Sequence, residues 1–293
     1  YGIPWNVDGD LSPDFWQRAP DGHDFHVLHA EALLTLRVNA ARELESPHGC
    51  RYRVLVLPDD DRMSPAILAK LEEWVEAGAT VLGPRPRRSP GLAASAGEDA
   101  DALVRARANR LWGAIDGAKI KRQQTGQGSV WFGATLGEVL AASGIEPDFR
   151  YAELARGDSG KPVKLDYVHR RGDGWEFYFV SNQRNEPASA RVTFRVAGNA
   201  PEIWRPETGE IAITPPWQRT AQGVAVVLNL GPAESCFVVF RATVPARTTI
   251  ASVTHDGRDA IGRAIAQIAI AGDHVSLRAF APGEFAAQAA DGR

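Results

Sequence analysis

Apolar residues in the first half of the chain switch between short continuous runs and helical stripes. Arg53-Val54-Leu55-Val56-Leu57-Pro58 is a continuous run of the kind that forms a strand buried on both faces. Ser64 and Pro65 follow as an N-cap and a first-turn proline, and Leu68, Leu71 and Val75 recur at helical spacing until Gly78 ends the stripe. Ala79-Thr80-Val81-Leu82-Gly83 reads as the next strand, completing a strand–helix–strand unit suited to a parallel sheet. Val104, Ala108, Leu111, Trp112 and Ile115 mark a second amphipathic helix. Ser129 to Gly133 predicts a further strand, Thr135 with Glu138 a capping box, and Gly144 the end of the helix behind it.

The period falls to two after Phe149. Trp175, Phe177 and Phe179 alternate with Glu176, Tyr178 and Val180, and Val192, Phe194 and Val196 alternate with Arg191, Thr193 and Arg195. Val224, Val226, Leu228 and Leu230 form another such row ahead of Cys236 to Phe240. Short alternating strands between Gly, Pro and Asn turns predict an antiparallel sandwich with one buried and one solvated face per sheet. The fold class expected is therefore α/β plus all-β. A three-layer domain over 1–157, with a flavodoxin-like or amidotransferase-like parallel sheet, has its first strand clipped or shortened at Tyr1. A β-sandwich over 158–245 follows the turn-rich joint at Gly157 to Pro162. Residues 246–293 begin a further β domain, with too few large apolar side chains to close a core alone.

Composition narrows the classes of function. Lys and Arg number 33 against 36 Asp and Glu, so there is no general field for nucleic acid or anionic lipid. No apolar run approaches the roughly 18 residues of a spanning helix, which argues against a membrane protein. Two distant cysteines, Cys50 and Cys236, exclude a disulfide framework and a cysteine zinc site. The chain opens at Tyr1 without a methionine or a signal-peptide pattern, as an excised piece would, and so carries no information on compartment.

Each motif with possible chemistry has a plainer reading beside it. His23, His26 and His29 are spaced by three, but on a helix the third imidazole turns roughly 120° from the first. Surface and packing roles fit them better than a metal, and no metal site is assigned. Asp59, Asp60 and Asp61 follow a parallel strand, where ligands gather in open α/β sheets, but they also precede a helix whose amides they could cap. Gly126-Gln127-Gly128 precedes a strand and lacks the third glycine of a dinucleotide loop; a phosphate loop and G-x-S-x-G are absent. Cys50 lies before its strand rather than on a sharp turn after one, so an amidotransferase would have no nucleophile. Arg85, Arg87 and Arg88 could grip an anion, although an Arg/Pro segment is more often a stiff solvated loop. His169-Arg170 could face a polyol or simply end a hairpin. Trp112, Trp131 and Trp175 sit in apolar stripes, which assigns most of the tryptophans to core.

Taken together, several blocks resemble one family. Tyr52 to Asp59, Arg62-Met63-Ser64-Pro65, Ala77 to Val81, Gly83-Pro84-Arg85-Pro86, Ser89-Pro90, Gly126-Gln127-Gly128, Trp131, Thr135-Leu136 and Gly144 to Phe149 are similar to the region after the catalytic barrel in glycoside hydrolase family 106, the α-L-rhamnosidases. His169-Arg170, Phe177 to Asn182, Phe194-Arg195-Val196 and Pro201 to Glu210 continue the likeness, which covers roughly residues 20 to 293. Ala40-Ala41 stand where a glycine turn is usual. The resemblance implies hydrolysis of terminal α-L-rhamnosyl groups with inversion by two glutamates on a (β/α)8 barrel, often with calcium.

No position here matches those glutamates, so no catalytic residue is assigned. The expectation is an accessory, post-barrel part of a larger hydrolase that lacks its N-terminal barrel and meets a rhamnosylated glycan through its parent. His169 and Arg170 are the candidates for the rim of the sugar site. No cofactor is expected in this chain itself, with calcium confined to the parent barrel. The resemblance favours a periplasmic or extracellular setting. The alternative is a stand-alone, non-catalytic carbohydrate-binding or scaffold module.

Overall fold

The computed structural model describes residues 20–91, 99–155, 157–197, 200–213, 217–241, 250–259, 266–271, 274–279 and 281–289. The expected clipped strand at Tyr1 and the boundary near 245 lie outside them. The chain divides into two compact units, one made of Tyr1–Pro20 and Phe25–Glu146, the other of Asp21–Asp24 and Pro147–Arg293.

The first unit contains α1 (Ala30–Leu34), β1 (Arg37–Val38), β2 (Leu44–Glu45), β3 (Arg51–Tyr52), β4 (Leu55–Val56), α2 (Pro65–Ala77), β5 (Thr80–Leu82), α3 (Ala100–Trp112), β6 (Arg122–Thr125), β7 (Gly128–Trp131) and α4 (Leu136–Ala142). Helix α2 begins as its residues dictate: the Ser64 side chain accepts from the Ile67 amide, Pro65 follows, and Gly78 ends it with φ 125°. Thr135 and Glu138 close a reciprocal capping box on α4. The strands β4, β5 and β7 are parallel neighbours, while β6 joins β7 antiparallel at the edge. The purely parallel sheet expected for this region is therefore a small mixed one. The polar run Arg122-Gln123-Gln124-Thr125 had no apolar period to reveal its strand. A separate three-stranded antiparallel sheet, β1-β2-β3, is built from two-residue strands too short for periodicity to register.

Trp74 and Trp112 anchor this unit's core. Both are almost fully buried, and their indole N–H groups donate to Leu36 O (3.2 Å) and Gly83 O (3.0 Å), as buried indoles require.

The second unit opens with β8 (Phe149–Ala155), β9 (Leu165–Gly172), β10 (Trp175–Asn182), β11 (Ala188–Phe194), β12 (Pro201–Arg205), β13 (Glu210–Ile213), β14 (Trp217–Thr220), β15 (Gly223–Leu230) and β16 (Ser235–Arg241). They form a five-stranded sheet, β13-β12-β16-β10-β9, and a four-stranded sheet, β14-β15-β11-β8, that share one core cluster. Phe194, Tyr178, Phe240 and Phe149 meet in that core with ring centroids 4.8 to 6.2 Å apart. Strand β8 pairs with β11, so the unit starts at Pro147 rather than after residue 157. The joint at Gly157 to Pro162 lies inside the sandwich sequence, between β8 and β9.

One expectation inverts in β10. The row Trp175, Phe177, Phe179 was the natural choice for the buried face, but Tyr178 and Val180 are fully buried, Phe177 and Phe179 half-buried, and Trp175 exposed. In the neighbouring β16 the buried residues Cys236, Val238 and Phe240 hold the same parity, with Phe237 outward. The inward register also contains Glu176. Inward parity is possible for that carboxylate because charged partners meet it there.

Beyond the sandwich, β17 (Ile250–His255), β18 (Arg258–Asp259), β19 (Ala266–Ala271), β20 (His274–Ala279) and β21 (Phe285–Ala289) form a three-stranded sheet, β18-β17-β21, and a β19-β20 hairpin.

Candidate functional site

Strands β9 and β10 place His169 directly opposite Tyr178, and their rings stack with centroids 4.0 Å apart and planes 10° from parallel. The imidazole Nδ1 lies 2.7 Å from Asp148 Oδ2, one residue before β8, and Nε2 lies 3.3 Å from Glu176 Oε2. Asp148 is held from three further directions. Its Oδ1 accepts from the Tyr178 hydroxyl at 3.2 Å and meets the Arg195 guanidinium at 2.8 Å, while its carbonyl accepts the Arg195 amide at 3.0 Å. Arg171 donates twice to Glu176 Oε2, at 2.8 and 3.0 Å. The side chains of His169, Asp148 and Glu176 are 15%, 12% and 16% exposed, dry enough for these charges to act on one another with little screening.

The electrostatics follow from that enclosure. Burial alone pushes the His169 imidazole toward its neutral form. The hydrogen bond to Asp148, the contact with Glu176 and the charges of both carboxylates outweigh burial and raise its pKa above the ordinary 6.5. Burial likewise works to raise Asp148 and Glu176. The His169 interaction comes next, followed by Arg195 for Asp148 and by Arg171 for Glu176, and together they hold both carboxyls below their usual range. Burial first, and the Asp148 charge second, push the Tyr178 phenol up, so it stays a donor. The arrangement is an imidazole held between two carboxylates that favour its protonated form. Neither carboxyl has the raised pKa of a general acid.

His169 therefore faces inward, with both ring nitrogens toward carboxylates. Arg170, next on the strand, has the opposite parity. Its side chain is about half exposed, donates to the His169 carbonyl at 2.6 Å and lies 3.5 Å from Asp24. Asp148, Glu176, Tyr178 and Arg195 were not singled out as partners from the sequence. The available signal was a charged residue, Glu176, in the same register as Tyr178 and Val180.

The remaining candidates have separate local roles. His26 Nδ1 lies 3.0 Å from the Tyr52 hydroxyl, and His29 caps α1 by accepting from the Ala32 amide. The Asp59–Asp61 run does not cap α2, since Ser64 does. Asp60 is held by Arg62 in a two-pronged pair, and Asp61 by Arg88 at 3.1 Å. Arg85 reaches the carbonyls of Gly113 and Ile115 just past α3. Gly126-Gln127-Gly128 is the β6–β7 turn, where the Gln127 amide donates to Glu76 O at 3.0 Å. Trp175, expected in the core, is 42% exposed. Burial pushes the Cys236 thiol up to about 12, as befits a packed rather than a reactive side chain. Among the described residues no group of three or more His, Cys, Asp or Glu is arranged to hold a metal ion.

Residues 7–214 match the model of the family described as alpha-L-rhamnosidase. The chain is 30% identical over 238 residues to a protein of Formosa agariphila named putative beta-glucuronidase, an alignment covering 80% of this chain and 18% of that protein. Among solved structures it is similar to a rhamnosidase from Novosphingobium sp. PP1Y, with 31% identity and a TM-score of 0.61 over 76% of this chain and 21% of that one. The chain thus spans about a fifth of the length of these relatives.

Proposed function

Because the chain belongs to the alpha-L-rhamnosidase family of glycoside hydrolases, we propose that it is the accessory, post-barrel part of a longer hydrolase acting on rhamnose-containing glycans. The observation that carries this reading is the family match across residues 7–214, which takes in sequence from both units, together with alignments that cover most of this chain but only about a fifth of each relative. Inverting hydrolysis needs an acid and a base about 6.5–9.5 Å apart across a sugar. The two carboxyls that meet at His169, Asp148 and Glu176, are instead committed to that imidazole and to arginines. In this proposal the paired catalytic carboxylates, and any calcium, belong to the rest of the polypeptide. The first unit is a reduced form of a flavodoxin-like or amidotransferase-like layer structure. The parent works in the periplasm or outside the cell.

Within the same proposal Arg170 is the residue that reaches the sugar rim, and His169 fixes the strand that presents it. The test is hydrolysis of an aryl α-L-rhamnoside by the longer polypeptide and by residues 1–293 alone. The expected result is turnover with inversion for the former and none for the latter. Turnover by residues 1–293 that a single Asp or Glu substitution abolishes overturns the accessory reading. The relative named putative beta-glucuronidase favours a second sugar, so an aryl β-glucuronide belongs in the same assay. Preference for it would keep the accessory role and change the glycan.

A further inference from the structure

The outer face of the five-stranded sheet has an apolar row that crosses every strand. Register pairs Ile211 with Trp204, Trp204 with Phe237, Phe237 with Phe179, and Phe179 with Val168. Five strands about 4.8 Å apart make this row roughly 19 Å wide. Phe177 flanks it on the next outward position of β10, and Trp175 lies beyond, its indole over Gly172 and stacked on Phe177 at 5.5 Å. Ile211, Trp175 and Val168 are 48%, 42% and 38% exposed. The sandwich core lies on the other face of the sheet, so its packing does not account for these side chains. Soluble chains seldom leave contiguous apolar surface of this kind uncovered.

The make-up of the face selects its occupant. A sugar needs open ring faces, but Phe237 meets Phe177 at 76° and Phe179 at 54°, while the Arg241 guanidinium sits 5.5 Å over the Trp204 ring. Aliphatic side chains at both ends of the row offer a sugar no hydrogen bonds. Aromatic residues at the centre with Arg241 and Glu202 beside them match the anatomy of a protein interface. Two protein occupants compete: a second copy, or polypeptide joined to this chain. The relatives are about five times longer than the segment they share with it, and a tethered domain meets the face at an effective concentration in the millimolar range, far above that of a free copy.

We propose that this face docks an apolar surface of the longer polypeptide, so that the sandwich is fastened to the rest of the enzyme through the row from Ile211 to Val168. The proposal rests on the accessory reading for the existence of that polypeptide. It concerns only where the polypeptide sits.

The experiment is covalent carbene labelling, read by mass spectrometry, of residues 1–293 and of the longer polypeptide. Labelling of Trp175 and Ile211 should be strong in the chain alone and fall several-fold in the longer protein. The double variant Val168→Asp/Ile211→Asp should restore labelling of Trp175 there and lower the melting temperature of the longer protein. Residues 1–293 should melt unchanged with the same substitutions, since both lie outside the core. Equal labelling in the two proteins overturns the proposal, as does weak labelling of the chain alone at low concentration. Protection of the isolated chain that grows with its own concentration assigns the face to a second copy and overturns it. Protection only on adding methyl α-L-rhamnopyranoside assigns it to sugar, with the same consequence. Rhamnoside hydrolysis without protection sinks the docking face alone. Protection without hydrolysis sinks the glycan assignment alone. A reading frame that adds nothing to this chain at either end sinks both.

Discussion

Nδ1 of His169 and Oδ2 of Asp148 stand 2.7 Å apart, and this contact joins β9 of one sheet to the residue that leads into β8 of the other. The pair therefore works as a cross-sheet tie at one end of the sandwich. Its strength depends on both groups being charged, which makes it sensitive to pH in a direction that can be stated.

The His169 pKa is raised on folding, so its contribution to stability is complete below about 6.5 and is lost as pH rises through the higher folded value. Asp148 and Glu176 are lowered, so theirs is complete above their ordinary 3.8 and 4.5 and is lost as pH falls through the depressed values. The tie should be strongest between about pH 4.5 and 6.5. Thermal melts should show a melting temperature that declines above pH 6.5, and His169→Gln should flatten that decline. An alkaline limb of equal slope in both proteins would count against the tie.

Removing one partner leaves the others buried with less compensation. Asp148→Ala leaves the His169 ring with Glu176 alone and deprives Tyr178 of its acceptor, and should cost about 3 kcal/mol by denaturant titration. The double variant Asp148→Ala/His169→Gln should recover part of that loss, because the poorly compensated charge is gone. A strictly additive double variant would show that the two side chains act independently.

Local signals in the sequence translated directly into structure. Ser64-Pro65, Gly78 and the Thr135–Glu138 box set helix ends through contacts within a few residues. The strand β8 and the charged cluster depend on partners much further away. Asp148 meets His169 at a separation of 21 residues and Tyr178 at 30, and no periodicity encodes such a meeting. The parity of β10 was misleading for a physical reason: Trp175, Phe177 and Phe179 outweigh Glu176, Tyr178 and Val180 in apolar content. A hydrophobicity pattern therefore turns the strand over unless the charge of Glu176 is already paired.

Gly126-Gln127-Gly128 acts by shape. A Cβ on Gly128 would stand 2.3 Å from Ala79 O and 2.4 Å from Val75 O, both backbone atoms at the end of α2. Backbone cannot swing aside as a side chain can, so Gly128→Ala should destabilise the first unit by about 1–3 kcal/mol. Gly144→Ala is the control for steric crowding, because nothing lies within 4 Å of a Cβ there, although its φ of +64° carries the ordinary strain of a left-handed residue. Equal losses at the two sites would mean that the close approach at Gly128 has no consequence.

The last prediction separates the two residues proposed for the sugar rim. Arg170 has an exposed guanidinium whose partners are a main-chain carbonyl and Asp24, so truncating it should leave the sandwich intact. If it touches the glycan in the longer enzyme, Arg170→Ala should raise KM for a rhamnosylated oligosaccharide with little change in kcat, the signature of lost uniform binding. His169 has no such freedom, because both ring nitrogens face carboxylates. His169→Ala should therefore lower the melting temperature sharply, and below that temperature it should alter turnover only as far as β9 shifts Arg170. Charge at the ring is what the tie uses, so His169→Gln should rescue little. A KM that ignores Arg170→Ala removes that residue from the rim. A large loss of kcat in a His169→Ala enzyme that melts like the wild type would place the imidazole at the chemistry itself, against everything its surroundings imply.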